Sequence, residues 1–220
     1  YLSANFKHNE GVIINNLLKR YDLKLNLDTE VKKCLKIGTP LNLSYSRNNR
    51  VPTGYGIGTS VITRAIEQRP WDSPYRPDGE YAIGGQELAN HNPVQAIKEE
   101  NVYINSYRAL GSLYFLFNIT KNLNFKTKVG ENFNYIEEHI YYTANHPYGN
   151  KVGKLKDGRK SYASTLWENV LTYKYSPLDA FSWDVMLGHS IQKDVVSSAA
   201  QTGIGFPSPS FDVNLSLIHI

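Results

Sequence analysis

Few residues in this 220-residue sequence are spaced for acid–base or metal chemistry. Glu99–Glu100 and Glu137–Glu138 are adjacent pairs. Neighbours in a strand point to opposite faces, so neither pair offers an acid and a base to one substrate. Of six histidines only His139 and His146 lie close in sequence. In a strand their odd spacing separates them onto two faces, and on a helix they stand two turns apart, about 10 Å. Neither arrangement suits a metal-ligand pair. "GYGIGTS" at 54–60 lacks both the Gly-Lys-Ser/Thr of a phosphate loop and the buried strand that precedes a dinucleotide fingerprint. The single Cys34 rules out an intrachain disulfide and a cysteine metal cluster. No catalytic residue, metal or cofactor is therefore expected. The densest concentration of recognition chemistry is "RPWDSPYRPDGEYAIGG" at 69–85. It sets Arg69, Trp71, Tyr75, Arg76 and Tyr81 among three prolines, with no apolar period.

The elements that must carry this insert are strands. Tyr21, Leu23, Leu25 and Leu27 alternate with Asp22, Lys24, Asn26 and Asp28, the period-two signature of a ribbon with one apolar and one polar face. The same alternation recurs at 35–46, 108–119, 125–135, 167–175 and 181–190, and Tyr1–Lys7 reads as one further strand, giving seven. Pro40 interrupts the second ladder, because it has no N–H to donate, and predicts a bulge or a weak point. Tight connections are expected at 29–33, 120–124 and 176–180, and long ones at 47–102, 138–161 and 194 to the end. Within the first long connection, "SVITRAIEQR" predicts a short helix near 60–69, capped by Ser60 and stopped by Pro70, with Val61, Ile62, Ala65 and Ile66 on its apolar face. "PDG" at 77–79 predicts a turn.

Periodicity alone leaves two architectures open. In a soluble sandwich the apolar parity faces a protein core. In a membrane barrel it faces lipid, and the polar parity lines the lumen. The sequence has no stretch near the roughly 18 apolar residues of a membrane helix, a fact that leaves a barrel untouched. Three features favour the barrel. The alternating segments run ten residues or more, longer than soluble strands of typically about five or six. Aromatics crowd their ends: Tyr21, Tyr45, Phe125, Tyr135, Trp167, Tyr175 and Phe181. Connections alternate between short and long, and a fifty-residue connection is foreign to a compact soluble domain. The net charge of +4 is too small, and too scattered, to argue for nucleic acid.

Several blocks in order, "KRYDLKLNLDTEVKKCLKIG" (19–38), "GTSVITRAIEQRPWDSPYRPDG" (58–79), "NPVQ" (92–95), "SYRALGSLYFLFNITKNLNFK" (106–126), "HIYYTANHPYG" (139–149) and "LWENVLTY" (166–173), resemble the barrel region of SusC/RagA-like TonB-dependent transporters of Bacteroidetes. The likeness runs through most of residues 1–213. It implies an all-β, antiparallel up-and-down transmembrane β-barrel segment, part of an outer-membrane barrel of about 22 strands occluded by a plug. It also implies drive from the TonB complex, a SusD-like surface lipoprotein as lid, and import of large nutrients, oligosaccharides or peptides. Against that whole the chain is expected to be a mid-barrel piece, without plug, TonB-contacting segment or closing strand. Residues 214–220, ending in "SLIHI", are expected to be a non-native tail.

In such a protein 47–102 is an extracellular loop. Trp71, Tyr75 and Tyr81 then become candidates to stack on sugar rings, and Arg69 and Arg76 to hydrogen-bond hydroxyls or carboxylates. The same residues could instead pack the loop against its neighbours. Two rival functions remain open: a soluble β-rich carbohydrate-binding module, and a secreted glycosidase, for which the sequence nominates no pair of carboxylates at a defined separation.

Overall fold

The structure is a computed structural model and describes residues 1–51, 60–82, 92–178 and 181–206. Seven strands form one antiparallel sheet in chain order: β1 (Leu2–Glu10), β2 (Leu17–Lys32), β3 (Leu35–Asn49), β4 (Glu100–Asn118), β5 (Leu123–Tyr142), β6 (Lys154–Leu178) and β7 (Phe181–Ile204). Every neighbour in sequence is a neighbour in space, which is the up-and-down order of a barrel wall. Turns at 33–34 and 119–122 lie at one end, where β6 also passes to β7, and connections at 11–16 and 143–153 lie at the other, with the described parts of the β3–β4 connection, 60–82 and 92–99.

Several boundaries differ from the sequence reading. β5 continues to Tyr142 and β6 begins at Lys154, so the connection expected over 138–161 shrinks to 143–153. β7 runs on to Ile204, where the sequence reading opens a loop at 194. These outer extensions, such as "EEHIYY" and "KLKDGRK", do not alternate between apolar and polar; their buried apolar residues, Tyr141 and Leu155, are covered locally, Tyr141 by Phe206 with ring centroids 5.5 Å apart. The turn expected over 29–33 is mostly strand, with a register shift between Glu30 and Lys32. Pro40 makes no bulge. Pairing with β4 passes from Gly38↔Tyr114 to Leu41↔Gly111 in unchanged register, and Thr39 and Pro40 are left out of that ladder. The phosphate-loop lookalike at 54–59 and the tail at 214–220 lie outside the described residues.

Register aligns the apolar parities into rows across the sheet. Phe6, Tyr21, Tyr45, Tyr107 and Tyr135 are successive partners, with ring centroids 4.9, 6.1, 5.0 and 6.0 Å apart. A second aromatic margin runs near the turns: Phe117 faces Phe125 at 6.3 Å, and Tyr175 meets Trp183 at 5.6 Å. From Tyr107 to Phe117 is 117 − 107 = 10 residues, about 33 Å of strand at roughly 3.3 Å each.

The inner margin descends across the sheet. The Leu35 row reaches Leu187, and the inner margin there is Trp183, a drop of 187 − 183 = 4 residues over four steps. One residue per strand, about 3.3 Å against a strand spacing of about 4.8 Å, is an inclination of roughly 35°. Closed barrels tilt their strands by about 35–45°.

The polar face also shapes itself locally. The ring of Tyr114 lies over Gly38, where a Cβ would stand 2.2 Å from ring carbon Cε1. Its hydroxyl donates to Asp28 at 2.5 Å, tying β4 to β2 across β3.

Candidate functional site

The polar face is lined by strand side chains of mixed charge. Lys128 Nζ reaches Glu168 at 3.3 Å, Arg20 reaches Asp22 at 2.8 Å, and Lys36 pairs with Glu30. Lys126 Nζ lies 4.7 Å above the Tyr114 ring. A hollow of about 370 Å³ on this face is bordered by Arg20, Lys24, Arg108, Asp22, Asn42 and Ser44. Alternation places donors and acceptors every second residue on each strand, so the wall offers hydrogen bonds throughout its height.

The long connection folds into the mouth. It carries α1 (Val61–Glu67), capped by Ser60, whose Oγ accepts from the Thr63 N–H at 3.4 Å. It also carries α2 (Pro93–Lys98), capped by Asn92, whose Oδ1 accepts from Val94 at 2.9 Å and Gln95 at 3.2 Å. The second helix was missed from the sequence, although Asn at the cap followed by Pro at the first helical position was its signal. The apolar face expected on α1 is corrected. Val61 is buried, but Ile62 and Ile66 are exposed, and the other buried side chain of the helix is Arg64, only 2% exposed. A small core joins Val51, Val61 and Ile97, with Ile13 packed against it. Asn15 Nδ2 donates to the Ile97 carbonyl at 3.1 Å. The first outer connection thereby joins the second.

Arg64 is the centre of a cluster that sequence reasoning overlooked. Its guanidinium donates to the Tyr148 hydroxyl at 2.9 Å, with the ring centroid at 5.2 Å. His146 stacks on Tyr142 at 4.4 Å, and its Nδ1 accepts from the Tyr148 N–H at 3.0 Å. Its Nε2 lies 3.7 Å from Glu100 Oε2. Burial dominates at Glu100: it pushes the carboxyl up to about 7, against the opposing pull of Arg64. Burial first, and then Glu100, raise the Tyr142 hydroxyl. A carboxyl raised in the folded state stabilises most while protonated. Docking of the loop should be tightest below the ordinary carboxylate range and weaken as pH rises through about 7. Hydrogen-exchange protection factors at 60–69 in the full-length protein, corrected for the intrinsic pH dependence of exchange, should be higher at pH 5 than at pH 8, and Glu100→Gln should flatten the difference.

The five residues singled out at 69–81 fall into two groups. Tyr75 and Tyr81 form an isolated bridge with rings 5.6 Å apart, closed by the expected turn at 77–79 with Gly79 at φ 88°. Arg76 Nε donates to the Tyr81 carbonyl at 3.3 Å. The Tyr81 hydroxyl donates to Glu99 Oε1 at 3.3 Å, and Lys98 Nζ donates to the Tyr75 hydroxyl at 2.9 Å. Arg69 pairs with Asp72 at 3.0 Å and stands 5.9 Å from the Trp71 ring. Trp71 itself is 76% exposed. His139 and His146 are separated, as their spacing requires: His139 Nδ1 meets Asp157 at 2.8 Å on the wall, while His146 sits in the 143–153 connection.

No family model matches the chain. Two curated relatives from Formosa agariphila do. "TonB-dependent receptor P3" is 28% identical over 206 residues, 88% of this chain and 20% of the relative. "TonB-dependent receptor P26" is 23% identical over 183 residues, 80% of this chain and 17% of the relative. The chain thus spans about a fifth of these relatives' length. Among solved structures, the RagAB peptide transporter aligns over 89% of this chain and 22% of its own, with a TM-score of 0.70 at 19% identity. The RagAB peptide importer in its "closed-closed" state aligns over 94% and 24%, with a TM-score of 0.72 at 19% identity. Those two likenesses show the fold, a β-barrel wall. Relatives, register and the two-ended distribution of turns and loops agree: the chain is similar to TonB-dependent receptors and has the fold of a segment of a SusC/RagA-like barrel wall.

Proposed function

We propose that residues 1–213 form part of the wall and outer mouth of an outer-membrane, TonB-dependent importer of large nutrients, oligosaccharides or peptides, capped by a SusD-like lipoprotein. The observation that carries this reading is the two-sided sheet. Its apolar face lies between aromatic margins separated by about 33 Å of strand, or about 25 Å of height at a tilt of about 40°. That is the height of the lipid-facing band of outer-membrane barrels, about 25 Å. The end with longer connections then faces outward and the tight turns face the periplasm. The polar parity lines the lumen. A soluble sandwich would need a second sheet over the apolar face, and among the described residues there is one sheet.

Within the mouth, Trp71 is the side chain with most ring surface to offer an incoming sugar or peptide, with Arg69 beside it. Tyr75, Arg76 and Tyr81 present the hairpin that borders it. Trp71→Ala should weaken substrate binding by the full-length importer about 3- to 10-fold, the loss of one stacking platform of about 0.5–1.5 kcal/mol, with barrel stability unchanged. Isothermal titration with the transported nutrient measures it. For the function as a whole, nutrient uptake by cells carrying the full-length protein should stop when the TonB complex is removed. Undiminished uptake would show that the protein is not energised that way.

A further inference from the structure

We propose that the outward face of β1–β4 binds one membrane lipid bearing a phosphate head group. The proposal rests on the membrane-facing reading above. Below the outer aromatic row, Ala4 and Ala109 occupy positions where larger side chains would otherwise stand. They lie at the floor of a groove of about 670 Å³, walled by Phe6, Tyr21, Tyr45, Tyr107, Leu23 and Phe133. All of these are on the apolar parity. The groove is long and apolar, which suits an acyl chain.

Directly above the rings, the next outward row is His8, Lys19, Arg47, Asn105, Glu137 and Arg159, each the cross-strand partner of the one before. Lys19 stands opposite Arg47. Like charges so placed repel at about 5 Å and destabilise a sheet unless an anion sits between them. Among the described residues neither cation has a carboxylate ion pair. Arg47 is held instead by its face on the Tyr103 ring at 4.0 Å and by Nε donating to Asn49 Oδ1 at 3.4 Å, which orders the guanidinium on the outward side. The two carboxylates of this region are engaged elsewhere. Glu10 meets His8 at 3.3 Å, and Glu137 accepts from the Tyr135 hydroxyl at 3.1 Å. A phosphate at the head-group level can bridge Lys19 and Arg47 while its chain descends past Tyr21 and Tyr45 into the groove. Head group and chain are then recognised by adjacent rows of the same strands.

The test uses the delipidated full-length protein in detergent, titrated with monophosphoryl lipid A and with the same lipid after phosphate removal, and read by native mass spectrometry. Wild type should bind the phosphorylated form about tenfold tighter. Lys19→Glu with Arg47→Glu should abolish that preference and leave the dephosphorylated lipid unaffected. Ala109→Phe, which fills the groove floor from the outward side, should weaken both. Unchanged affinity in the double variant, or an equal loss for both lipids, would overturn the proposal. Heat-modifiable migration on unheated gels checks the barrel separately. Its absence would remove the membrane reading, and with it this site; its presence without a phosphate preference removes this site alone.

Discussion

Leu25→Lys should lower the stability of the full-length barrel by about 2–4 kcal/mol, whereas the adjacent Lys24→Leu should change it far less. Leu25 lies on the apolar parity, four residues below Tyr21, and faces Leu2 and Leu41 across the sheet. If that face meets acyl chains, an ammonium there must be desolvated or must drag water and head groups inward. Lys24 lies on the other parity beside Asn42, at the edge of the polar hollow, where a charge stays hydrated. The contrast between adjacent residues matters more than either value, because both share backbone, strand propensity and depth. Denaturant refolding into bilayers, read by heat-modifiable migration, measures both. Equal costs for the two substitutions would mean that the faces do not meet different media.

Arg64→Leu should release the 60–82 segment from the wall while the barrel stays folded. The guanidinium is buried, bonds to Tyr148 and lowers the Glu100 carboxyl that burial raises. Losing a buried charge-assisted hydrogen bond costs about 1.5–3 kcal/mol of docking. Glu100 then loses its stabilising cation and should titrate higher than in wild type. Amide exchange at 60–69 should accelerate about tenfold or more, since every 1.4 kcal/mol of docking is a factor of ten in the open population. Strand amides in β4 and β5 should keep their protection. Because the loop carries Trp71, substrate affinity should fall with it. Affinity retained despite a released loop would separate Trp71 from recognition.

The strands were legible where two media impose two faces. Between the aromatic margins of β2, β3 and β4 every second residue is apolar apart from Thr39, Thr29 and Gly111, and the strands follow from that alternation. It fades at Tyr135 on β5 and at Ser161 on β6, where the wall rises past the aromatic row. There the ladder continues with only isolated apolar residues, such as the buried Tyr141 and Leu155, so the sequence has no period to show. The loop core was illegible for a different reason. An apolar stripe on α1 suggested Ile62 and Ile66 as the inward face, but the helix turns Arg64 inward because Tyr148 and Glu100, about eighty and forty residues away in sequence, supply its partners. Local pattern cannot reveal a contact made by two distant connections. Residues 69–81 were legible as unusual, and their hairpin as a turn.

The most direct measurement is a spin-label scan along β4 of the full-length protein in bilayers, with Cys34 replaced by serine and single cysteines placed at 108–117. Collision rates with oxygen and with a water-soluble nickel chelate report the medium at each position. The account predicts oxygen maxima at 109, 111, 113, 115 and 117 and nickel maxima at the even positions, with period two throughout. Protection of the odd positions from both reagents would place that face against protein, and would contradict the membrane-spanning wall.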